Sequence, residues 1–196
     1  MTDDERIQLV LRAAEESSLL RRTASEALAE PLVDLANVCA GVLGAGGKML
    51  ICGNGGSAAD ASHMAAEMII RLTAEKNRQA LPALALNADT SVLTAAANDF
   101  GYDRIFSRQV EGLGVVGDML LMISTSGNSM NLIRAAEVAR DKKMITSALL
   151  GKDGGRLAMM VDKKLIVSHH TVQRIQEEHI FLIHTLVELI ESDLFG

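Results

Sequence analysis

The chain has 196 residues, of which 48% are hydrophobic and only 3% aromatic, and its formal net charge is −6. This length is enough for one domain with a full core, which must be built from Ala, Leu, Ile, Val and Met. The acidic balance argues against a nucleic-acid partner, because such a surface needs clustered Lys and Arg. A small-molecule partner is therefore favoured.

The sequence also bounds the compartment. Only two cysteines occur, Cys39 and Cys52, both in apolar stretches, so a reducing compartment without a disulfide framework is expected. The N-terminus, Met1–Glu5, is acidic, whereas a signal peptide starts with basic residues. No apolar run approaches the roughly 20 residues that a membrane span needs. We therefore expect a cytoplasmic protein with no membrane partner.

Residues 1–45 show apolar positions at helical spacing. Pro31 stands where a second helix could begin, since Pro suits the first turn of a helix. The sequence therefore predicts an N-terminal helical hairpin, used in oligomerisation, over residues 1–45. An α/β core with a C-terminal helix is expected over 46–196, and the whole chain, 1–196, is expected to form a single domain.

Five short apolar runs alternate with Ala-rich helical stretches. They are Lys48–Cys52, Leu81–Leu86, Asp118–Ile123, Met144–Leu150 and Lys164–Val167. Continuous apolar runs are typical of parallel strands buried on both faces. The sequence thus predicts an α/β fold, a three-layer αβα sandwich with a five-stranded parallel sheet, closed by a helix from Val172 to about Leu194. In such sheets, ligands bind beyond the carboxyl ends of the strands.

Two loops rich in Ser and Gly follow predicted strands. Ser124–Ser129 combines four hydroxyls, backbone N–H groups and a helix start, which can hold a phosphate without a lysine. An ordinary turn with Ser129 as helix N-cap explains the same residues. Gly53–Ser57 either lets a ligand approach closely or simply ends a strand. It lacks the GxGxxG spacing, so no nucleotide cofactor is expected.

Two polar pairs occur at helical spacing. His63 and Glu67 lie four residues apart, and a pair on one helix face can bind metal or divide acid and base work. A pair on a solvated helix surface is the commoner explanation of that spacing. Gln176 and His184 stand eight apart among apolar residues, while His179 between them suits a core or interface histidine. Spacing alone leaves these alternatives open.

Six ordered strings span nearly the whole chain. They are Cys52–Asp60, Ala97–Gly101, Ile105–Val110, Ile123–Ser129, Leu150–Gly155 and Arg174–Glu177. Together they resemble the bacterial sedoheptulose 7-phosphate isomerase family, which has the sugar isomerase (SIS) fold. The resemblance implies conversion of D-sedoheptulose 7-phosphate to D-glycero-D-manno-heptose 7-phosphate through an enediol, in a homotetramer. This reaction opens ADP- or GDP-heptose biosynthesis for lipopolysaccharide or other surface glycans.

The resemblance also implies the site. It places the general base on Glu67 and the general acid on His184. It places the substrate contacts on Asn54, Gly55, Gly56, Glu67, Asn98, Asp99, Ser124, Thr125, Ser126, Ser129 and Gln176, with the hydroxyl residues forming the phosphate-binding loop. It implies one zinc ion per subunit, with the ligands His63, Glu67, Gln176 and His184.

Two alternatives have the same fold. One is a non-catalytic SIS paralogue that associates with the replication initiator, but this paralogue usually lacks the acid–base pair that Glu67 and His184 would form. The other is a phosphosugar-binding regulatory protein, which normally accompanies a DNA-binding segment that this chain lacks. Two departures from the family concern loops: Leu72–Ala80 is longer, and Gln173 stands where some members carry Asp.

Overall fold

The computed structural model describes all 196 residues. Its strands are β1 Met49–Gly53, β2 Ala83–Ala85, β3 Met119–Ser124, β4 Ile145–Gly151 and β5 Lys163–Val167. They form one parallel sheet in the order β2-β1-β3-β4-β5. The predicted five-stranded parallel sheet is therefore confirmed.

Six α-helices surround the sheet. They are α1 Asp3–Gly44, α2 Gly56–Ile69, α3 Thr90–Phe100, α4 Ser107–Leu113, α5 Met130–Asp141 and α6 Val172–Phe195. Short 3₁₀ turns lie at Tyr102–Arg104 and Arg156–Met159. The predicted closing helix is thus confirmed as α6.

The two faces of the sheet belong to two separate apolar clusters. In β1, Met49 and Ile51 join the cluster formed with α1, α2 and α6. Leu50 and Cys52 join the cluster formed with α3, α4 and α5. Successive side chains of a strand point to opposite faces, so a fully apolar strand feeds both clusters. The result is the predicted three-layer sandwich.

The predicted helical hairpin over residues 1–45 is wrong, because α1 is one continuous helix of 42 residues with Pro31 inside it. A proline within a helix removes one backbone hydrogen bond. Here the buried side chains continue on both sides of it, at Leu28, Leu32 and Leu35, and pack in the cluster that includes α6. This continuous apolar packing offsets the missing hydrogen bond and keeps the helix in one piece.

Helix α1 also corrects the expectation that no apolar stretch is long enough to span a membrane. It contains an 18-residue window of mean hydropathy 1.4, long and apolar enough by length and composition to cross a membrane, and 44% of that window is buried. A core helix of a globular protein meets the same criterion. In α1, Leu35, Ala36 and Cys39 are almost fully buried, so packing accounts for part of this apolar character.

His179 fastens α6 to the sheet. The side chain is fully buried, and Nε2 donates to the carbonyl oxygen of Leu150 at 3.1 Å. Nδ1 has no partner. Burial lowers the pKa of His179 to about 4, so the imidazole is neutral. It is therefore a core histidine at the carboxyl end of β4.

The low pKa of His179 predicts acid sensitivity. Its folded-state pKa of about 4 lies below the ordinary 6.5, so the unfolded chain takes up the proton first as the pH falls below 6.5. Preferential protonation of His179 in the unfolded chain should lower the free energy of unfolding by about 2 kcal/mol between pH 7 and pH 5. The measurement is urea denaturation of wild type and His179→Gln at pH 7, 6 and 5. We expect a shallower loss in the variant, and parallel pH curves would contradict the assignment.

Candidate active site

Three neighbouring strands open into loops at one edge of the sheet. Gly53 ends β1, Ser124 ends β3 and Gly151 ends β4, and these strands are adjacent and parallel. Their carboxyl ends therefore meet at one edge, where ligands of such sheets bind. The two loops rich in Ser and Gly lie side by side there.

In the loop Ser124–Ser129, two hydroxyls shape the turn. Ser124 Oγ accepts from the backbone N–H of Gly127 at 3.1 Å, and Ser126 Oγ accepts from that of Asn128 at 3.2 Å. Gly127 has φ +63°, and a Cβ there would collide with the carbonyl group of Gly154. The loop is thus packed directly on the turn that follows β4.

Ser129 occupies the N-cap position of α5, but its side chain makes no capping hydrogen bond. The alternative of Ser129 as an ordinary capping side chain therefore does not describe the structure. Its hydroxyl lies at the N-terminus of α5. This combination suits an anion, since a helix N-terminus carries partial positive charge.

Asn54 joins the first loop to the second. Its Nδ2 donates to Asn131 Oδ1 at 3.0 Å, and Asn131 Nδ2 donates back to Asn54 Oδ1 at 2.8 Å. The Tyr102 hydroxyl also donates to Asn54 Oδ1, at 3.0 Å. The sequence analysis missed Asn131 and Tyr102. The only sequence signal for Asn131 is an amide in the first turn of a helix that is otherwise apolar there.

A cavity of about 280 Å³ lies beside Asn54 and Gly55 and is also lined by Asn87 and Tyr102. Asn87 Nδ2 donates to the carbonyl oxygen of Ala58 at 2.8 Å, whereas its Oδ1 is buried without a partner. Unpaired buried acceptors are costly. Asn87 Oδ1 is therefore an acceptor left without a partner next to the cavity, and Asn87 too was missed from the sequence.

His63, Glu67 and His184 come together across two helices. His63 Nε2 lies 2.8 Å from His184 Nε2 and 3.4 Å from Glu67 Oε1. The two rings meet edge to face with their centroids 5.0 Å apart. Glu67 Oε2 is buried without a hydrogen-bond partner. The His63–Glu67 pair is thus part of a cluster that spans α2 and α6, and not an isolated surface pair.

The remaining predicted residues divide into two groups. Gln176 reaches the glycine loop, because any Cβ on Gly56 would collide with its side-chain amide. Asn98 and Asp99 lie exposed on α3, where Asn98 Nδ2 donates to Asp99 Oδ1 at 2.8 Å. Within one chain the structure thus brings Gln176 to the site edge and leaves Asn98 and Asp99 bonded to each other.

The side chains expected to hold zinc have suitable chemistry but are not arranged around an ion. No group of three or more His, Cys, Asp and Glu side chains is arranged to hold a metal ion. The Nε2 atoms of His63 and His184 are 2.8 Å apart, closer than the roughly 3.3 Å between two nitrogens on a tetrahedral zinc. The chemistry nevertheless fits, since two imidazoles and a carboxylate with an unpaired oxygen are ordinary zinc ligands.

Comparison with known proteins gives a consistent result. A family profile for the SIS domain matches residues 14–151. The phosphoheptose isomerase of Chlorobium phaeobacteroides is 48% identical over 185 residues, 94% of this chain and 82% of that protein. That of Trichlorobacter lovleyi is 51% identical over 169 residues, 86% and 85% of the two chains.

A solved structure agrees in fold and in sequence. Phosphoheptose isomerase GmhA from Neisseria gonorrhoeae superposes with a TM-score of 0.89 at 46% identity. The match covers 97% of this chain and 100% of that chain. The similarity thus extends through α1, the sheet and α6.

The tight packing of Gly127 predicts that Gly127→Ala damages the anion site. The new Cβ would meet the carbonyl group of Gly154 at a positive φ, so the loop must move. We expect inorganic phosphate to bind at least about tenfold more weakly, as measured by titration calorimetry. Gly112→Ala is the matched control, because a Cβ there meets no atom within 4 Å and lies in α4. Equal phosphate affinity in both variants would place the anion elsewhere.

Proposed function

The chain belongs to the SIS-domain phosphoheptose isomerases, and we propose that it converts D-sedoheptulose 7-phosphate to D-glycero-D-manno-heptose 7-phosphate. It is an aldose–ketose isomerase, and its acid–base groups and its anion loop lie at adjoining parts of the structure. The observation that carries the proposal is the convergence of Glu67 with His184 through His63.

The reaction relocates two protons, one between C1 and C2 and one between their oxygens. In the ketose, a base removes a proton from C1, and an acid protonates the carbonyl oxygen on C2, which gives an enediol. The base then returns its proton to C2 while the C1 hydroxyl gives its proton to the deprotonated acid, and the aldehyde forms with both groups restored. No external oxidant or reductant is consumed.

Glu67 is suited to the carbon-bound proton. Its Oε2 is buried without a partner and so is free to accept, while its Oε1 lies 3.4 Å from His63 Nε2, which fixes the carboxylate. His184 approaches from α6 and can protonate the oxygen on which negative charge develops. Base and acid would thus come from different helices and act on the same substrate carbons.

The phosphate would anchor the substrate at Ser124–Ser129, where the hydroxyls of Thr125 and Ser129 lie beside the N-terminus of α5. Binding energy at this remote group aligns the reacting carbons with Glu67 and His184. Asn54 and Asn87, beside the cavity, are placed to bind sugar hydroxyls. The product would enter ADP- or GDP-heptose biosynthesis in the cytoplasm, for lipopolysaccharide or another surface glycan.

Zinc is the metal that we propose for this site. His63, Glu67, Gln176 and His184 would hold it, and when bound it supplies a Lewis acid for the substrate oxygens. Supporting this assignment are the unpaired Glu67 Oε2 and the imidazole nitrogens that face each other. The zinc content of purified wild type and of His63→Ala, measured by elemental analysis, tests the assignment.

A homotetramer is proposed because α1 and α6 leave an apolar surface uncovered. A groove of about 230 Å³ between them is lined mainly by apolar side chains, including Leu28, Val33 and Phe181. Further along α1, Ile7 and Val10 are 55% and 66% exposed. Exposed contiguous apolar surface of this kind marks an interface. The subunit contacts would therefore involve the helix that carries His184.

Glu67→Gln should abolish isomerisation while substrate still binds, because the amide keeps the shape of the side chain but cannot accept the proton. We expect kcat to fall by about 10²–10⁴-fold with KM for sedoheptulose 7-phosphate nearly unchanged. The assay follows aldose formation and deuterium incorporation at C2 of the aldose in D₂O by NMR. Glu188→Gln, an exposed carboxylate on α6, is the control, and near-normal turnover of Glu67→Gln would refute the assignment.

The tetramer predicts a particle of four 20.9 kDa chains in sedimentation velocity. Val33→Asp should dissociate it, since Val33 is 47% exposed in the apolar groove and a buried aspartate without a partner opposes association. Val116→Asp, at a 70% exposed position before β3, should leave the assembly intact. A wild-type monomer that is fully active would overturn the proposal and leave the isomerase assignment standing.

A further inference from the structure

Arg78 is an arginine buried outside regular structure. It lies between α2 and β2, and its side chain is only 1% exposed. Its Nε donates to Glu191 Oε1 at 2.7 Å. Its Nη1 donates to the carbonyl oxygen of Met68 and its Nη2 to that of Glu67, both at 2.8 Å. The guanidinium is therefore fully engaged by two structural elements.

The first element is the C-terminal end of α2. The last four carbonyl groups of a helix have no partner within the helix, and the last turn of α2 contains no basic residue. Arg78 supplies both the donors and the positive charge that such an end favours. Its planar fork suits two neighbouring carbonyls in a way that a lysine ammonium does not. One of these carbonyls belongs to the predicted base, Glu67.

The second element is α6. Glu191 is buried, with 2% of its surface exposed, and Oε1 also accepts from the backbone N–H of Leu72 at 3.2 Å. Glu191 lies seven residues after His184, which is about two helical turns and so roughly the same side of α6. The Arg78–Glu191 pair thus joins the helix of the base to the helix of the acid.

We propose that Arg78 and Glu191 are positioning residues that set the relative placement of Glu67 and His184. The inference rests on the acid–base roles given above. Proton transfer requires heavy atoms within about 3.2 Å, so a small slide of α2 along α6 would separate the groups. A buried ion pair is replaceable by apolar side chains with little loss of stability. The contribution of the Arg78–Glu191 pair is therefore the placement of α2 against α6, which apolar side chains would not fix.

The test is the double variant Arg78→Met with Glu191→Leu, which removes both charges and leaves no lone buried ion. We expect kcat to fall about tenfold or more, as misplacement of reacting groups does, with KM within about threefold and a thermal midpoint near that of wild type. The matched control makes the same two substitutions at Arg134 and Glu137, an exposed ion pair on α5, and should keep wild-type kcat. Arg78→Lys keeps the charge without the fork and should have an intermediate kcat.

Backbone hydrogen exchange gives a readout that does not depend on activity. In the double variant, peptides covering residues 66–72 should exchange faster, while peptides from β3 stay protected as in wild type. Unchanged exchange at 66–72, or a kcat within twofold of wild type, would overturn the inference. So would a loss of kcat that accompanies faster exchange throughout the sheet, since the pair would then only stabilise the fold. If wild type itself fails to isomerise sedoheptulose 7-phosphate, the proposed function is wrong, and the exchange data still decide whether the pair fixes α2.

Discussion

The parallel pairing of β1 with β3 is the constraint on which the site depends. The chain leaves β1 toward β2 on one side and returns to place β3 on the other, so the loops after β1 and β3 diverge from a common point. Ligands of doubly wound sheets bind at such a switch point. Here Asn54 and Asn131 form a reciprocal amide pair across it. This pair fixes the position of the loop expected to bind sugar, Gly53–Ser57, relative to the loop expected to bind phosphate, Ser124–Ser129.

Helix α6 is held by directional bonds as well as by apolar packing. Three of its buried residues are polar, and each reaches a different element. Glu178 accepts from Arg21 of α1 at 2.8 Å, His179 donates to the end of β4, and Glu191 accepts from Arg78. Apolar side chains tolerate small slides between surfaces, whereas hydrogen bonds of fixed length do not. The helix that carries Gln176 and His184 is therefore fixed along its length.

The sequence was sufficient for the sheet because continuous apolar runs are a local property of each strand. It failed at Pro31, since the packing that carries α1 through the proline comes from residues of α6 more than 140 positions away. Sequence rules for helices include the hydrogen bond that a proline removes, but they do not include the tertiary packing that compensates for it. The same limit applies to Arg78, whose partner Glu191 lies 113 residues further on.

Prediction of the site was limited in the same way, by contacts between residues that are distant in the sequence. Spacing placed His63 and Glu67 on one helix face, but only the fold brings His184, 121 residues from His63, into contact. Family resemblance named these residues together, although it did not indicate Asn131 or Asn87. Ser124 and Ser126 illustrate the converse, because residue type suggested ligand contacts while the structure also uses both hydroxyls to close the turn.

The contact between His63 and His184 is the place where the proposed metal and the proposed acid would meet. Two Nε2 atoms 2.8 Å apart form a hydrogen bond only if one of them carries a proton, because two bare lone pairs repel. The proposed zinc would need both Nε2 lone pairs, so this proton would first have to move to a ring Nδ1 or leave. Proton and metal would therefore compete for the same space between α2 and α6. Glu67 Oε1 lies 3.4 Å from His63 Nε2, so the side chain proposed as the base adjoins the same contact, and a change in what fills that space would change the surroundings of Glu67 directly.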